Sequence, residues 1–267
     1  MLRRFLQKAL TFNKLLFVCQ SFLFGFTLIE LLVVTAVVLV LSAILLPVFA
    51  SAKERAQAGR CLSNQRQIGA AMMVYVDEWD GTYPSGWFGI PGSPHAYDWK
   101  CALLPLLGGT EVFRCPSNPV GGKEFDQTSG PGLRLSISYA PNRSAIPRWG
   151  LDGERVTRES DVPDPAKTIM LVENRSRWVD QGVWAVNQHG DEIFPPDGYS
   201  QPGTMGPFHS HRGLVNIVFM DGRAKPTKLA STLVPREMWR DYLRDPETIY
   251  DQEWCRRAAA LIAEEYR

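Results

Sequence analysis

His209 and His211 stand two residues apart, so in an extended segment both imidazoles project from one face, with His189, Asp191 and Asp197 upstream. Zinc takes three or four protein ligands, and a lone H-x-H supplies two nitrogens, so no metal or other cofactor is assigned. Asp191, Glu192 and Asp197 offer hard oxygens of the kind calcium prefers, but their spacing matches no calcium loop. Covalent catalysis has still less to work with. The chain holds no G-x-S-x-G, no P-loop and no G-x-G-x-x-G, and it is not read as an enzyme. Cys61, Cys101, Cys115 and Cys255 allow three complete pairings, while Cys19 lies further upstream. One acid is out of place. Glu30 heads Leu31 to Ala50, twenty residues without a charge, and an acid well inside lipid costs ~2.5–3.5 kcal/mol and usually marks function. The plainer alternative is a carboxylate that snorkels to the headgroups.

The elements that must position these groups follow from periodicity. At 1.5 Å per residue, the uncharged run is long enough for a helix across the roughly 30 Å hydrocarbon core. Pro47 inside it removes one backbone hydrogen bond and favours a bend. Beyond Lys53 the helix is expected to continue to about residue 80. Leu62, Gln65, Ile68, Gly69, Met72, Tyr75, Val76 and Trp79 recur at three- and four-residue steps and form a core-facing stripe. Asp80-Gly81, Pro84 and Gly86 end it. From Trp87 to Pro165 the Gly- and Pro-rich chain reads as loops and short strands, with apolar runs at Leu103–Leu107 and Leu133–Ala140. Longer strands are expected at Thr168–Val172, Val183–Val186 and Leu214–Met220. In the last, Asn216 is the one polar residue, as suits a strand covered on both faces. Asp221-Gly222 supplies hairpin chemistry before a strand over Arg223–Leu229. His211 and Asp221 then lie at opposite ends of one strand, about 20 Å apart, which makes them parts of a structural hairpin and not one catalytic centre. Arg236–Arg244 and Asp251–Arg267 read as two helical segments parted by Asp245-Pro246, with Ala258, Leu261 and Ile262 forming a narrow docking stripe.

The 267 residues, net charge +1, suffice for one membrane helix and one globular domain of about 200 residues. Twenty-nine basic and 28 acidic residues are interspersed; no basic stripe points to nucleic acid as a partner. Arg3, Arg4, Lys8 and Lys14 before the apolar run slightly outweigh Lys53, Arg55 and Arg60 after it, a weak bias towards an inside amino terminus.

The stretch Gly25-Phe26-Thr27-Leu28-Ile29-Glu30-Leu31-Leu32 resembles the signature of type IV prepilins and type II secretion pseudopilins. The resemblance extends to Cys61–Pro84, similar to a C-x-x-N-x-x-Q-I-G helix followed by Y-x5-G-x-x-P in a large pseudopilin-like group. It extends again to His211 and Asp221-Gly222, whose H-x9-D-G form resembles that group's carboxy-terminal motif. It implies cutting by a prepilin peptidase after Gly25, methylation of the new amino terminus at Phe26, and docking through Glu30. The physical basis is that a cationic α-amino group and a carboxylate offset one another's burial. It also implies a disulfide between Cys61 and Cys115, and an α+β, pilin-like fold with a long amino-terminal helix on a small antiparallel sheet. The expected organisation is a leader at 1–25, an assembly helix at 26–52, its amphipathic continuation at 53–80, a β-rich domain at 81–229 and a helical extension at 230–267. Leu15–Phe24 is nearly all apolar, unlike the short polar leaders of that family. A long leader, a start upstream of the true one and an ordinary secretory signal are the readings open there. The implied function is a structural subunit of a type II secretion pseudopilus or a pilus-like filament. It would sit in the inner membrane with its carboxy-terminal domain outside the cytoplasm, and its partners would be the peptidase, other pilin-like subunits and lipid. The alternative is a membrane-anchored, extracytoplasmic ligand- or metal-binding domain that uses the same export signal.

Overall fold

The computed structural model describes residues 27–89, 96–118, 124–126, 134–149, 156–174, 211, 213–234, 238–239, 256–257 and 259–260. Gly25, Phe26, His189, Asp191, Glu192, Asp197, His209, Cys255, the expected strand at Val183–Val186 and most of the carboxy-terminal helical extension lie outside them. The chain divides into two compact units, Met1–Ala52 and Lys53–Arg267.

Helix α1, Leu28–Glu78, is 51 residues long and continues through Pro47. It starts where Thr27 and Glu30 satisfy each other's amides. The Glu30 carboxylate accepts from the Thr27 N–H at 2.9 Å and from its hydroxyl at 2.8 Å, while the Glu30 N–H donates back to the Thr27 hydroxyl at 3.2 Å. This is a capping box, a feature of the S/T-x-x-E spacing. In the first unit the apolar side chains that follow are uncovered, Leu39 at 70% and Leu46 at 67% exposure among them. The helix is long and apolar enough to cross a membrane. Within the apolar run the Thr35 hydroxyl donates to the Leu32 carbonyl at 2.9 Å, which meets that donor inside the helix.

In the second unit the character of α1 changes. Cys61, Gln65, Ile68, Gly69, Ala71, Met72 and Val76 are buried, a single stripe of helical period. They pack on a four-stranded antiparallel sheet of order β5-β7-β8-β9, formed by β5 (Tyr139–Pro141), β7 (Ile169–Glu173), β8 (Leu214–Phe219) and β9 (Ala224–Lys228). Both edges of that sheet carry a proline, Pro141 and Pro226. The fold is thus α+β, a long amino-terminal helix packed on a small antiparallel sheet.

Strand alternation sorts the core into two layers. Val218 and Met220 join Ile68, Met72 and Val76 on the helix side, while Val215, Ile217 and Phe219 pack with Leu229, Leu233 and Trp239 on the other. Strand β7 breaks the alternation. Its register against β8 shifts between Ile169 and Leu171, so Met170 and Leu171 both lie in the helix-side layer and Val172 in the other. A bulge of this kind re-aims every later side chain, and here it turns Glu173 towards the helix.

The β8–β9 hairpin closes by Gly222 N–H to the Phe219 carbonyl and Phe219 N–H to the Arg223 carbonyl, both 2.9 Å. Gly222 has φ +81°, the left-handed residue that ends a three-residue hairpin loop. A side chain on it would press on Met73, and one on Gly69 of α1 would strike the Gly222 carbonyl. Two glycines therefore set how closely helix and hairpin approach.

The remaining strands are short. β1 (Trp87–Gly89) pairs antiparallel with β2 (Ala96–Asp98) and parallel with β6 (Arg148–Trp149), while β3 (Glu124–Asp126) pairs with β4 (Arg134–Ser136). The segment expected to hold loops and strands also contains helix: α2 spans Trp99–Leu103 and a 3-10 turn spans Leu104–Leu106. Asp98 caps α2 through its Lys100 and Cys101 amides, and its carboxylate holds the buried Lys100 ammonium at 2.9 Å. Trp79 corrects the stripe drawn from periodicity, because it is 59% exposed and stacks on Tyr75 outside the core. It lies beyond the last buried helical position, where Asp80 and Gly81 take positive φ and turn the chain away.

Gly222→Ala is expected to destabilise the full chain by about 1–2 kcal/mol from left-handed backbone strain alone. Gly69→Val should cost more, because backbone must move. Denaturant unfolding in detergent micelles checks both; unchanged midpoints would show that the helix and hairpin can part freely.

Candidate functional site

Four residues far apart in sequence meet under α1. Cys61 lies on the buried stripe of the helix, and Cys115 follows the 3-10 turn Thr110–Phe113. Glu173 ends β7 beyond the bulge, and His211 leads into β8 through a hydrogen bond from the Leu214 N–H to its carbonyl. Cys61 and Cys115 form a disulfide with Cα atoms 5.1 Å apart across 54 positions of sequence. The Cys115 sulfur lies 3.7 Å from His211 Nε2 and 3.9 Å from Glu173 Oε1. One donor atom from each of the four residues lies within 4.8 Å of the others, and all four residues are buried.

A carboxylate with no exposed surface needs partners for its oxygens. Glu173 Oε2 accepts from the Asn216 backbone N–H at 2.8 Å, and Oε1 accepts from the Asn216 amide at 2.9 Å and meets His211 Nε2 at 3.0 Å. A carboxylate only accepts, which assigns the shared hydrogen to Nε2. The site is tied to the helix on either side. Gln65 donates to the Asn216 carbonyl at 3.1 Å and Asn64 to the Arg114 carbonyl at 3.0 Å. The Tyr139 hydroxyl reaches the Cys61 carbonyl at 3.5 Å; burial, with the charge of Glu173 added, pushes its phenol well above the usual range.

The other candidate residues are dispersed. Asp221 sits in the hairpin turn, where it accepts from the Arg223 N–H at 3.1 Å and from Arg223 Nε at 2.6 Å. Arg223 also reaches the Ala166 carbonyl at 3.2 Å. The H-x9-D-G motif thus divides its labour: His211 anchors the strand entry to a buried acid, and Asp221-Gly222 shape the far turn against the helix. Tyr83 donates to the Met220 carbonyl at 2.6 Å beside that turn. Burial first, then the charges of Glu159 and Asp221, raise its phenol from 10.0 to about 12. A cleft of about 570 Å³ opens between Arg60, Asn64 and Gln67 on α1 and Glu111 and Arg114 opposite, with charges of both signs on its walls.

Residues 50–113 match a family model described as protein of unknown function (DUF1559), a family associated with prepilin- and pseudopilin-like proteins. The matched stretch holds Cys61, Gln65 and Gly69 and stops before Cys115, Glu173 and His211. No curated protein and no solved structure matches the chain.

Sequence reasoning places His211 with His209 and upstream acids, whereas among the described residues it meets Glu173 and the two cysteines. Glu173 and Asn216 escape it as a pair. Their signals are a lone acid closing the apolar strand Ile169–Val172 and a lone amide inside Leu214–Met220.

Cys101 is half-buried, and burial with the neighbouring Asp98 charge raises its thiol from 9.0 to about 11. Because the thiolate is the nucleophile, alkylation near neutral pH should be slower than for an ordinary thiol by about two orders of magnitude. Timed labelling read by mass spectrometry tests this, and labelling at the rate of a free thiol would refute it. Tyr83 contributes stability that is complete below about pH 10 and falls as pH climbs towards 12, since unfolded phenols then ionise while the buried one keeps its proton. Tyr83→Phe should flatten that alkaline loss in denaturant titrations; an unchanged pH profile would contradict it.

Proposed function

We propose that this protein is a structural subunit of a pilus-like filament, of the type II secretion pseudopilus or type IV kind, and not an enzyme. In this reading a prepilin peptidase cuts after Gly25 and Phe26 is methylated. The subunit waits in the inner membrane with residues from Lys53 onward outside the cytoplasm. It then joins a filament with other pilin-like subunits through α1.

The observation that carries this reading is the two-part character of α1: an uncovered apolar segment headed by Glu30, followed by a stripe buried on an antiparallel sheet. An uncovered helix of that length needs lipid before assembly and other helices after it. The capping box adds a refinement. Glu30 already serves Thr27, but a carboxylate accepts more than two hydrogen bonds, so it retains capacity for the amino terminus of a neighbouring subunit. Capping and charge pairing are thus separable roles for one side chain.

Glu30→Gln keeps a side chain able to cap and removes the charge, while Glu30→Ala removes both. Both variants should insert in the membrane yet enter filaments far less often, as read by crosslinking between subunits. Normal assembly of Glu30→Gln would mean that the cap, not the charge, is what matters. Mass spectrometry of the mature amino terminus tests the processing itself: methylated Phe26 is expected, and an intact Gly25–Phe26 bond would sink the reading.

A further inference from the structure

The Cys61–Cys115 disulfide closes against two more potential metal ligands. Three elements of the sheet domain and the helix α1 converge there, and every donor lies in a buried position. Cys115 Sγ, His211 Nε2 and Glu173 Oε1 are separated by 3.7, 3.9 and 3.0 Å. Ligands of a tetrahedral zinc ion with bonds of about 2.0–2.3 Å are separated by roughly 3.2–3.8 Å. The nitrogen, the oxygen and one sulfur are therefore already spaced close to ligands on a common ion. The sulfur–sulfur pair is the one whose bond must open, to about 3.7 Å for two thiolates on one zinc.

We infer that the dithiol form of Cys61 and Cys115, with Glu173 and His211, is a zinc site of two thiolates, one imidazole and one carboxylate. The same four residues then fasten the helix to the sheet in either redox state, by a sulfur–sulfur bond or by a metal ion. The carboxylate is the informative member. A disulfide next to a well-packed core needs no buried acid, whereas zinc uses a carboxylate oxygen as a ligand and its +2 charge offsets two of the three negative charges that the thiolates and the carboxylate bring. The Asn216 N–H and amide hold both Glu173 oxygens, the outer hydrogen bonding that orients a metal ligand. The β7 bulge points Glu173 to this side of the sheet and not the other.

The exchange balances with a disulfide of the glutathione class as oxidant. The zinc-bound dithiolate gives two electrons to that disulfide, Cys61 and Cys115 join, the acceptor leaves as two thiolates that take protons from water, and Zn2+ is released. A dithiol reductant drives the reverse. It gives up two electrons and two protons to open the protein disulfide, and metal binding then displaces the protons from the two thiols while the imidazole hydrogen of His211 passes from Nε2 to Nδ1, freeing the Nε2 lone pair for the ion.

The test uses the full chain in detergent micelles with Cys19, Cys101 and Cys255 replaced by Ser, so that two thiols remain. Reduced anaerobically with a phosphine and titrated with Co2+, it should bind one ion per chain. The spectrum should show tetrahedral ligand-field bands and thiolate-to-cobalt charge transfer, and Zn2+ should displace the cobalt. The oxidised protein should bind none, and oxidised glutathione should eject the metal as the disulfide forms. His211→Ala and Glu173→Gln should each weaken Co2+ binding by at least about tenfold. The inference fails if the reduced protein takes up no metal, if it binds without charge-transfer bands, or if metal stays bound once the disulfide has formed. Equal affinity in His211→Ala also defeats it. The reduced–oxidised comparison uses one and the same chain, so it decides the matter even where a ligand variant fails to fold.

Discussion

A carboxylate shut away from water dictates much of the second unit. Glu173 has no exposed surface, so its oxygens must be met from within, and each partner fixes an element. Asn216 contributes both a backbone and a side-chain donor and thereby locks β8 beside β7. His211 brings in the segment that precedes β8, and the disulfide beside it brings in α1 and the chain after Phe113. Removing one partner would strand a buried charge, which costs more than the lost contact. The arrangement therefore acts as a unit. Its register depends on the irregularity in β7, without which Glu173 would face the opposite layer with Leu229 and Trp239.

What can be read from the chain alone is what is local. The long apolar run, the stripe from Gln65 to Val76, the covered strand at Leu214–Met220 and the Asp221-Gly222 turn all announce themselves within a few helical or strand periods. The node is not readable in this way. Glu173 meets His211 across 38 positions, Asn216 across 43 and Cys115 across 58, and no periodicity links such distances. Nor does period-two counting along β7 place Glu173 correctly, because a bulge resets the count without leaving a residue type that marks it. Trp79 misleads for a different reason: its spacing continues the buried stripe, but the helix ends at Glu78 and the chain turns away at Asp80 and Gly81.

One helix has two kinds of surface. Ahead of Ala52 the side chains of α1 are mostly apolar and uncovered, and beyond Lys53 a narrower stripe is buried while charged residues such as Arg66, Asp77 and Glu78 face water. The first part gains nothing from the hydrophobic effect until lipid or other helices surround it. The second is held by glycine-set approach at Gly69 and by the disulfide, neither of which needs a membrane. The folded domain can therefore persist while the surroundings of the first segment change.

The prolines on both borders of the main sheet bear on how copies of this chain can join. Pro141 on β5 and Pro226 on β9 lack the amide hydrogen that an incoming strand would need, and β9 adds the exposed Lys225 and Lys228. Such borders resist the strand-by-strand stacking that turns exposed sheet edges into cross-β aggregates. In the proposed filament subunit, strand-by-strand self-association at these two borders is thus blunted, while the uncovered apolar face of α1 stays open to packing.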